Sequence, residues 1–291
     1  MSGSGTEARI FDRGYRRFEG QRSGVVGAVR SVAWHTTRSI LGLGRKGRHK
    51  VFPVAVVVIA FVPAIAFLAL AVLIGDLLEG ELRPDYWEFF GFSLVPALLF
   101  SALVAPEAIV RDRGDGMFPL YMSSPLTRPT YLAAKVIAVF GTMAIAVLGP
   151  PVLWLLGYTF QSLGPDSVPD WLGVMGRIVV AGLVICAVYT AVSLGASSLT
   201  DRRAFASVAV ILVLLGLSIA VNLLVEVGDL SDQLLLLDPL GLPLELAPRL
   251  FGSTGEGYES IDTWAVVAGC LGWIAAGVGA VVFRYRKLAA V

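Results

Sequence analysis

Apolar residues gather along this chain into six continuous runs, at residues 51–75, 89–106, 132–157, 172–198, 204–225 and 264–283. A helix crossing ~30 Å of hydrocarbon needs about 20 residues at ~1.5 Å rise. Each run approaches or exceeds that length. In lipid no water satisfies unpaired backbone groups, so such runs can only be helices or the strands of a closed barrel. Barrel strands alternate polar and apolar residues, and these runs do not. The pattern therefore predicts an all-α integral membrane fold with six transmembrane helices.

Two segments outside the runs have patterns of their own. Residues 1–21 begin Gly/Ser-rich and then carry Arg9, Arg13, Arg16 and Arg17 among aromatics, which reads as a flexible tail. At 100° per residue within 22–45, Val25, Val26, Val29, Val32, Ala33, Ile40 and Leu43 share one face, while Arg30, His35, Arg38 and Arg45 point away from it. Trp34 lies near the polar side and breaks the pattern. An amphipathic helix with a basic face is expected here, lying in the membrane interface before the six-span domain at 46–291; the other reading is a solvated helix packed on a partner protein. Between the last two runs, residues 226–262 are Leu-rich but interrupted by Asp238-Pro239 and Pro243. That stretch is too broken to span, and one or two short helices are expected there.

Charge adds orientation. The formal net charge is only +1, with 56% apolar and 15% charged residues, so nothing suggests a nucleic-acid partner. The basic residues are unevenly placed. Eleven precede the first run, from Arg9 to Lys50. Arg111, Arg113, Arg128 and Lys135 lie between the second and third, Arg202 and Arg203 between the fourth and fifth, and Arg284, Arg286 and Lys287 after the last. The other connections hold only Arg83 and Arg249, together with most of the acids, including Asp76, Glu79, Glu81, Asp229, Asp232, Glu256 and Glu259. Lys and Arg favour the cytoplasmic side, so both ends are expected there. An abundance of Arg over Lys, with much Ala, Val and Gly, fits a bacterial origin.

Catalytic and metal-binding constellations are missing. His35 and His49 stand apart from any Cys/Asp/Glu cluster, and Cys186 and Cys270 read as small apolar side chains within their runs. Gly42-Leu43-Gly44-Arg45-Lys46-Gly47 matches the dinucleotide fingerprint formally, but it follows a helix and no βαβ unit surrounds it. No Walker A loop is present. Glu107, Arg177 and Asn222 fall near span ends, not at mid-membrane where an ion-coupled carrier needs its charges.

The connection between the second and third runs, residues 107–131, is the most informative segment. It reads EAIVRDRGDGMFPLYMSSPLTRPTY. It is too apolar for a plain solvated loop, because Met117, Phe118, Leu120, Tyr121 and Met122 need a surface to cover them. Ser123-Ser124-Pro125 marks a turn or helix start. Gly116, Leu120, Ser123, Ser124, Pro125, Leu126, Thr127, Arg128, Leu132 and Lys135 resemble a pattern of type-2 ABC exporter permeases. Met117, Phe118, Pro119 and Tyr121 depart from it, and Pro119 stands where an acid is usual. The wider layout also resembles that family: elbow helix, six spans and a Leu-rich segment before the last span.

This resemblance implies the type-2 ABC exporter permease architecture. Two permease units, identical or homologous, form the pathway, and residues 107–131 act as the coupling segment to a separate cytoplasmic ABC ATPase subunit. ATP and Mg belong to that partner, and this chain is no enzyme and binds no cofactor. Expected ATPase contacts are Arg113, Gly116, Phe118, Tyr121, Pro125 and Arg128, and Phe92, Phe100 and Asn222 are candidates for lining the path. The expected location is the bacterial inner membrane. The other reading is a membrane assembly or regulatory subunit that transports nothing itself.

Overall fold

The computed structural model describes residues 23–43, 47–74, 84–255 and 257–287, and within these every regular element is helical. The tail at 1–21, Gly44 to Lys46 of the glycine-rich match, most of the acidic connection after the first span, and Glu256 lie outside the described residues. The helices are α1 (Gly24–Ile40), α2 (Arg48–Ile74), α3 (Phe89–Phe92), α4 (Leu94–Gly114), α5 (Phe118–Met122), α6 (Arg128–Phe160), α7 (Val168–Ser198), α8 (Arg203–Ile211), α9 (Leu217–Glu226), α10 (Leu242–Leu250) and α11 (Thr263–Lys287). A π-turn, Leu212–Gly216, joins α8 to α9 into one span, and a 3-10 turn, Asp232–Leu237, precedes α10.

Among the described residues six stretches are long and apolar enough to cross a membrane: Lys50–Leu73, Phe89–Gly114, Arg128–Phe160, Val168–Ser198, Arg203–Glu226 and Thr263–Lys287. These agree with the six runs but extend several of them. The second does not stop at Pro106, which sits inside α4, and the helix continues through the charged residues to Gly114. It can do so because those charges meet partners on neighbouring helices, as described below. The third begins four residues before its run, where Thr127 and Thr130 form a capping box and Pro129 occupies the first turn. The fourth begins at Val168, because the Ser167 side chain accepts the Asp170 backbone N–H at 3.2 Å.

α7 is the axis of the bundle. In its most apolar window 72% of residues are buried, against 22% in the first, fifth and sixth spans. It packs on α4, α6, α8, α10 and α11. Contact with α11 is backbone-close. A Cβ on Gly195 would lie 2.9 Å from the Gly277 Cα, and one on Gly277 would run into the Ala191 carbonyl. Small residues at a helix crossing allow this approach, and in lipid it is the packing itself that holds helices together. α2 leans on α6, where Gly149 and Gly157 receive Phe61 and Leu68.

One end of the bundle is closed by the segment between α9 and α11. α10 packs on α7 and α11. A buried ion pair joins Arg249 to Glu245 at 2.7 Å, and Glu245 also accepts the Gly255 backbone N–H. Asp238 accepts from the backbone N–H groups of Leu240 and Gly241 and from the Asn222 amide. Tyr258 nearby has its phenol pKa pushed up by burial and then by the Asp238 charge. At the opposite end lie α5, the C-termini of α4, α7 and α11, the N-termini of α6 and α8, and the C-terminal half of α1. The apolar stripe of α1 is only partly open to a membrane. Val32, Ala33 and Ile40 are buried against the protein, whereas Val25 and Val26 are exposed.

The α7–α11 crossing makes a simple prediction. Gly277→Ala places a methyl group against backbone and should cost about 1–3 kcal/mol, read as a lower midpoint of thermal unfolding in mild detergent. Gly272→Ala, on the same helix with open space around it, should be neutral or slightly stabilising.

Candidate functional site

The last two turns of α4 and the residue that caps them carry Glu107, Arg111, Asp112, Arg113 and Asp115, and the first four of these each reach a different helix. Glu107 pairs with Arg203 at the start of α8 at 2.6 Å and with Arg111 at 3.0 Å. Arg111 also donates to the Ser39 hydroxyl of α1 at 3.3 Å and meets Asp115 at 3.2 Å. Asp112 pairs with Lys135 of α6 at 2.6 Å and accepts the Tyr131 hydroxyl at 2.9 Å. Lys135 donates in turn to Thr36 of α1 at 3.0 Å, so one ammonium ties three helices. Its side chain is 3% exposed. A charge buried this deeply is tolerable only when paired and hydrogen-bonded.

Arg113 is turned inward. It donates to the carbonyls of Ser198 at 2.9 Å, Ser197 at 3.2 Å and Thr200 at 2.7 Å. These lie at the C-terminus of α7, where carbonyls lack intrahelical donors and the helix dipole favours a cation. Asp201 lies 3.4 Å from the same guanidinium and 2.9 Å from Arg284 of α11. Arg113 therefore locks α4, α7 and α11 together.

After α4 the chain reverses through Gly116, whose φ of +65° is a left-handed conformation suited to glycine. It then forms α5. One face of α5 is packed inward: the Phe118 ring sits 5.5 Å from Tyr131 and 5.8 Å from Tyr285, and Tyr121 sits 5.3 Å from Tyr131. Lys135 lies 5.7 Å from the centre of the Tyr121 ring. Burial, and after it the Asp112 charge, raises the Tyr121 pKa, so the phenol stays neutral. The other face is open. Leu120 is 62% and Met117 37% exposed. Pro125 and Arg128 are exposed beside it.

Of the six contact residues expected from sequence, Gly116, Pro125 and Arg128 thus stand at the surface, Phe118 and Tyr121 hold α5 to α6 and α11, and Arg113 is internal. The three pathway candidates have separate neighbours. Phe100 is fully buried inside this subunit, and Asn222 is tied to Ser218 and Asp238. Phe92 is 42% exposed beside Phe67 and Phe89. Sequence reasoning missed Asp112, Lys135, Asp201 and Tyr285 as members of the site. A signal existed for Lys135, because a lysine inside an apolar run demands a partner.

A family model described as ABC-2 family transporter protein matches residues 57–288. The chain belongs to that family. A search of curated proteins finds no match. The match covers every described helix from α3 to α11 and the last two thirds of α2, so it spans the bundle and, α1 apart, the site at its end. This ABC-2 permease is a multi-pass membrane protein of transport.

For the permease, the Asp112–Lys135 pair should prove strongly coupled. Lys135→Met alone leaves a buried carboxylate unpaired and should cost about 3–5 kcal/mol. Adding Asp112→Leu should recover much of that loss. Chemical unfolding in detergent of both singles and the double measures the coupling, and additive effects would show that the pair is not a unit.

Proposed function

We propose that this permease is the membrane-spanning subunit of an ATP-driven exporter, working with a separate cytoplasmic ABC ATPase that holds ATP and Mg. It carries out no bond chemistry and binds no cofactor of its own. The observation that carries the reading is the two-faced α5. Its ring face is fastened to α6 and α11, and its open face presents Met117 and Leu120 at the most basic end of the bundle. Exposed apolar side chains beside Arg128 suit the core and rim of a protein interface.

Under this reading the basic end is cytoplasmic, both chain ends lie inside, and α1 lies along the inner membrane surface. The membrane is the bacterial inner membrane. ATP binding moves the ATPase, which displaces α5. The Phe118 and Tyr121 rings pass that displacement to α6 and α11, and the charged end of α4 passes it to α1, α7 and α8. The first and fifth spans are mostly uncovered in this subunit. Their free apolar faces are the surfaces for a second permease unit, with the pathway between the two. Of the sequence candidates, Phe92 is the exposed one and the best placed to face such a path.

The test is a pull-down of the ATPase by tagged permease in mild detergent. Met117→Asp with Leu120→Asp should weaken association by at least roughly a hundredfold, taking ~2 kcal/mol or more per buried anchor and 1.4 kcal/mol per tenfold. Ser253→Asp, exposed at the other end, should leave it intact. Equal retention by both variants would favour a membrane subunit that is not driven through α5.

A further inference from the structure

An apolar groove of about 810 Å³ opens on the flank of the bundle, walled by α6 and α11 and floored by α7. It runs from Arg128 to Phe140 along α6 and from Arg286 to Ile274 along α11. Twelve residues of helix on each wall give ~18 Å, close to the ~15 Å of hydrocarbon in one leaflet. Its lining between those limits is almost wholly apolar, with Val136 and Val278 open to the outside.

The mouth differs from the rest. Arg128 and Arg286 stand on either side of it at the ends of their spans, both exposed. Neither forms an ion pair among the described residues, although Arg111, Arg113, Arg203 and Arg284 at the same end each hold a carboxylate. Two uncompensated guanidiniums at headgroup depth, above a groove one leaflet deep, complement an amphiphile with one anionic group and an alkyl chain. Guanidinium binds phosphate in fork geometry. A second copy of the chain fits worse, because a two-fold axis through this face would set four arginines against one another.

We propose that this groove is a binding site for an anionic phospholipid, with one acyl chain along α6 and α11 and the phosphate between Arg128 and Arg286. The site depends only on the chain spanning a membrane and not on the export reading. Bound lipid would brace α6 against α11, the two helices that hold α5.

The experiment uses the full chain in nanodiscs of phosphatidylcholine with a trace of a lipid carrying a photoactivatable acyl chain. The probe is phosphatidylglycerol in one arm and phosphatidylcholine in the other. The phosphatidylglycerol probe should label peptides within residues 128–140 and 274–286 well above the phosphatidylcholine probe. Arg128→Gln with Arg286→Gln should lower that labelling roughly thirtyfold, from about 1 kcal/mol per basic side chain near an anionic headgroup. The Lys versions of both should keep most of it. Ala133→Trp, which fills the groove and leaves the arginines in place, should abolish it. Equal labelling by the two probes, or labelling that survives the Gln pair, overturns the proposal. So does a disulfide-linked dimer formed efficiently through Val278→Cys, which would make the groove a seam between copies.

Discussion

The structure at the basic end depends on charge held where water is scarce. Asp112, Lys135 and Arg113 are too buried to be left alone, and each finds its partners only outside its own helix. That requirement fixes where α4 ends relative to α1, α6, α7 and α11. Buried ion pairs give little net stability, because desolvation offsets most of the attraction. What they give is intolerance of alternatives: a slipped helix would strand a charge. In the hydrocarbon region, where apolar surfaces slide against lipid as easily as against each other, such intolerance is a strong source of register.

The same constraint accounts for the way α5 is presented. Five residues do not make a stable helix alone. α5 holds its place because Gly116 turns the chain back over the hub and the Phe118 and Tyr121 rings bury against Tyr131 and Tyr285. Tyr131 is itself hydrogen-bonded to Asp112, so the ring cluster and the charge cluster share a member. A push on Leu120 therefore meets a mechanically continuous set of contacts, not a loose loop. At the other end of the bundle a separate polar cluster, built on Asp238, Glu245 and Arg249, holds the α9–α11 segment closed.

The spans were legible because lipid imposes one rule on every crossing segment, and a continuous apolar run of the right length satisfies it. The ends of the spans were less so. Pro106 looked like a stop, yet α4 continues two turns beyond it, since Glu107 and Asp112 find cations on α8 and α6. No local pattern shows a partner 23 residues downstream at Lys135. The segment 107–131 stood out for its apolar residues, but composition could not say which of them face inward. Phe118 and Tyr121, the larger rings, went inside, and the smaller Met117 and Leu120 stayed out. The inward turn of Arg113 was hidden for the same reason, because its partners are backbone carbonyls at the end of α7 that carry no signature in sequence.

We propose that α5 has an inner face serving this chain and an outer face serving an ATPase. Site-specific photo-crosslinking in native membranes separates the two directly. A photoreactive phenylalanine analogue at position 120 should capture a protein identified by its peptides as an ABC ATPase. The same analogue at position 118 should react only within the permease, with α6 or α11. Capture of the ATPase from position 118 and not from 120, or from neither, would contradict the account.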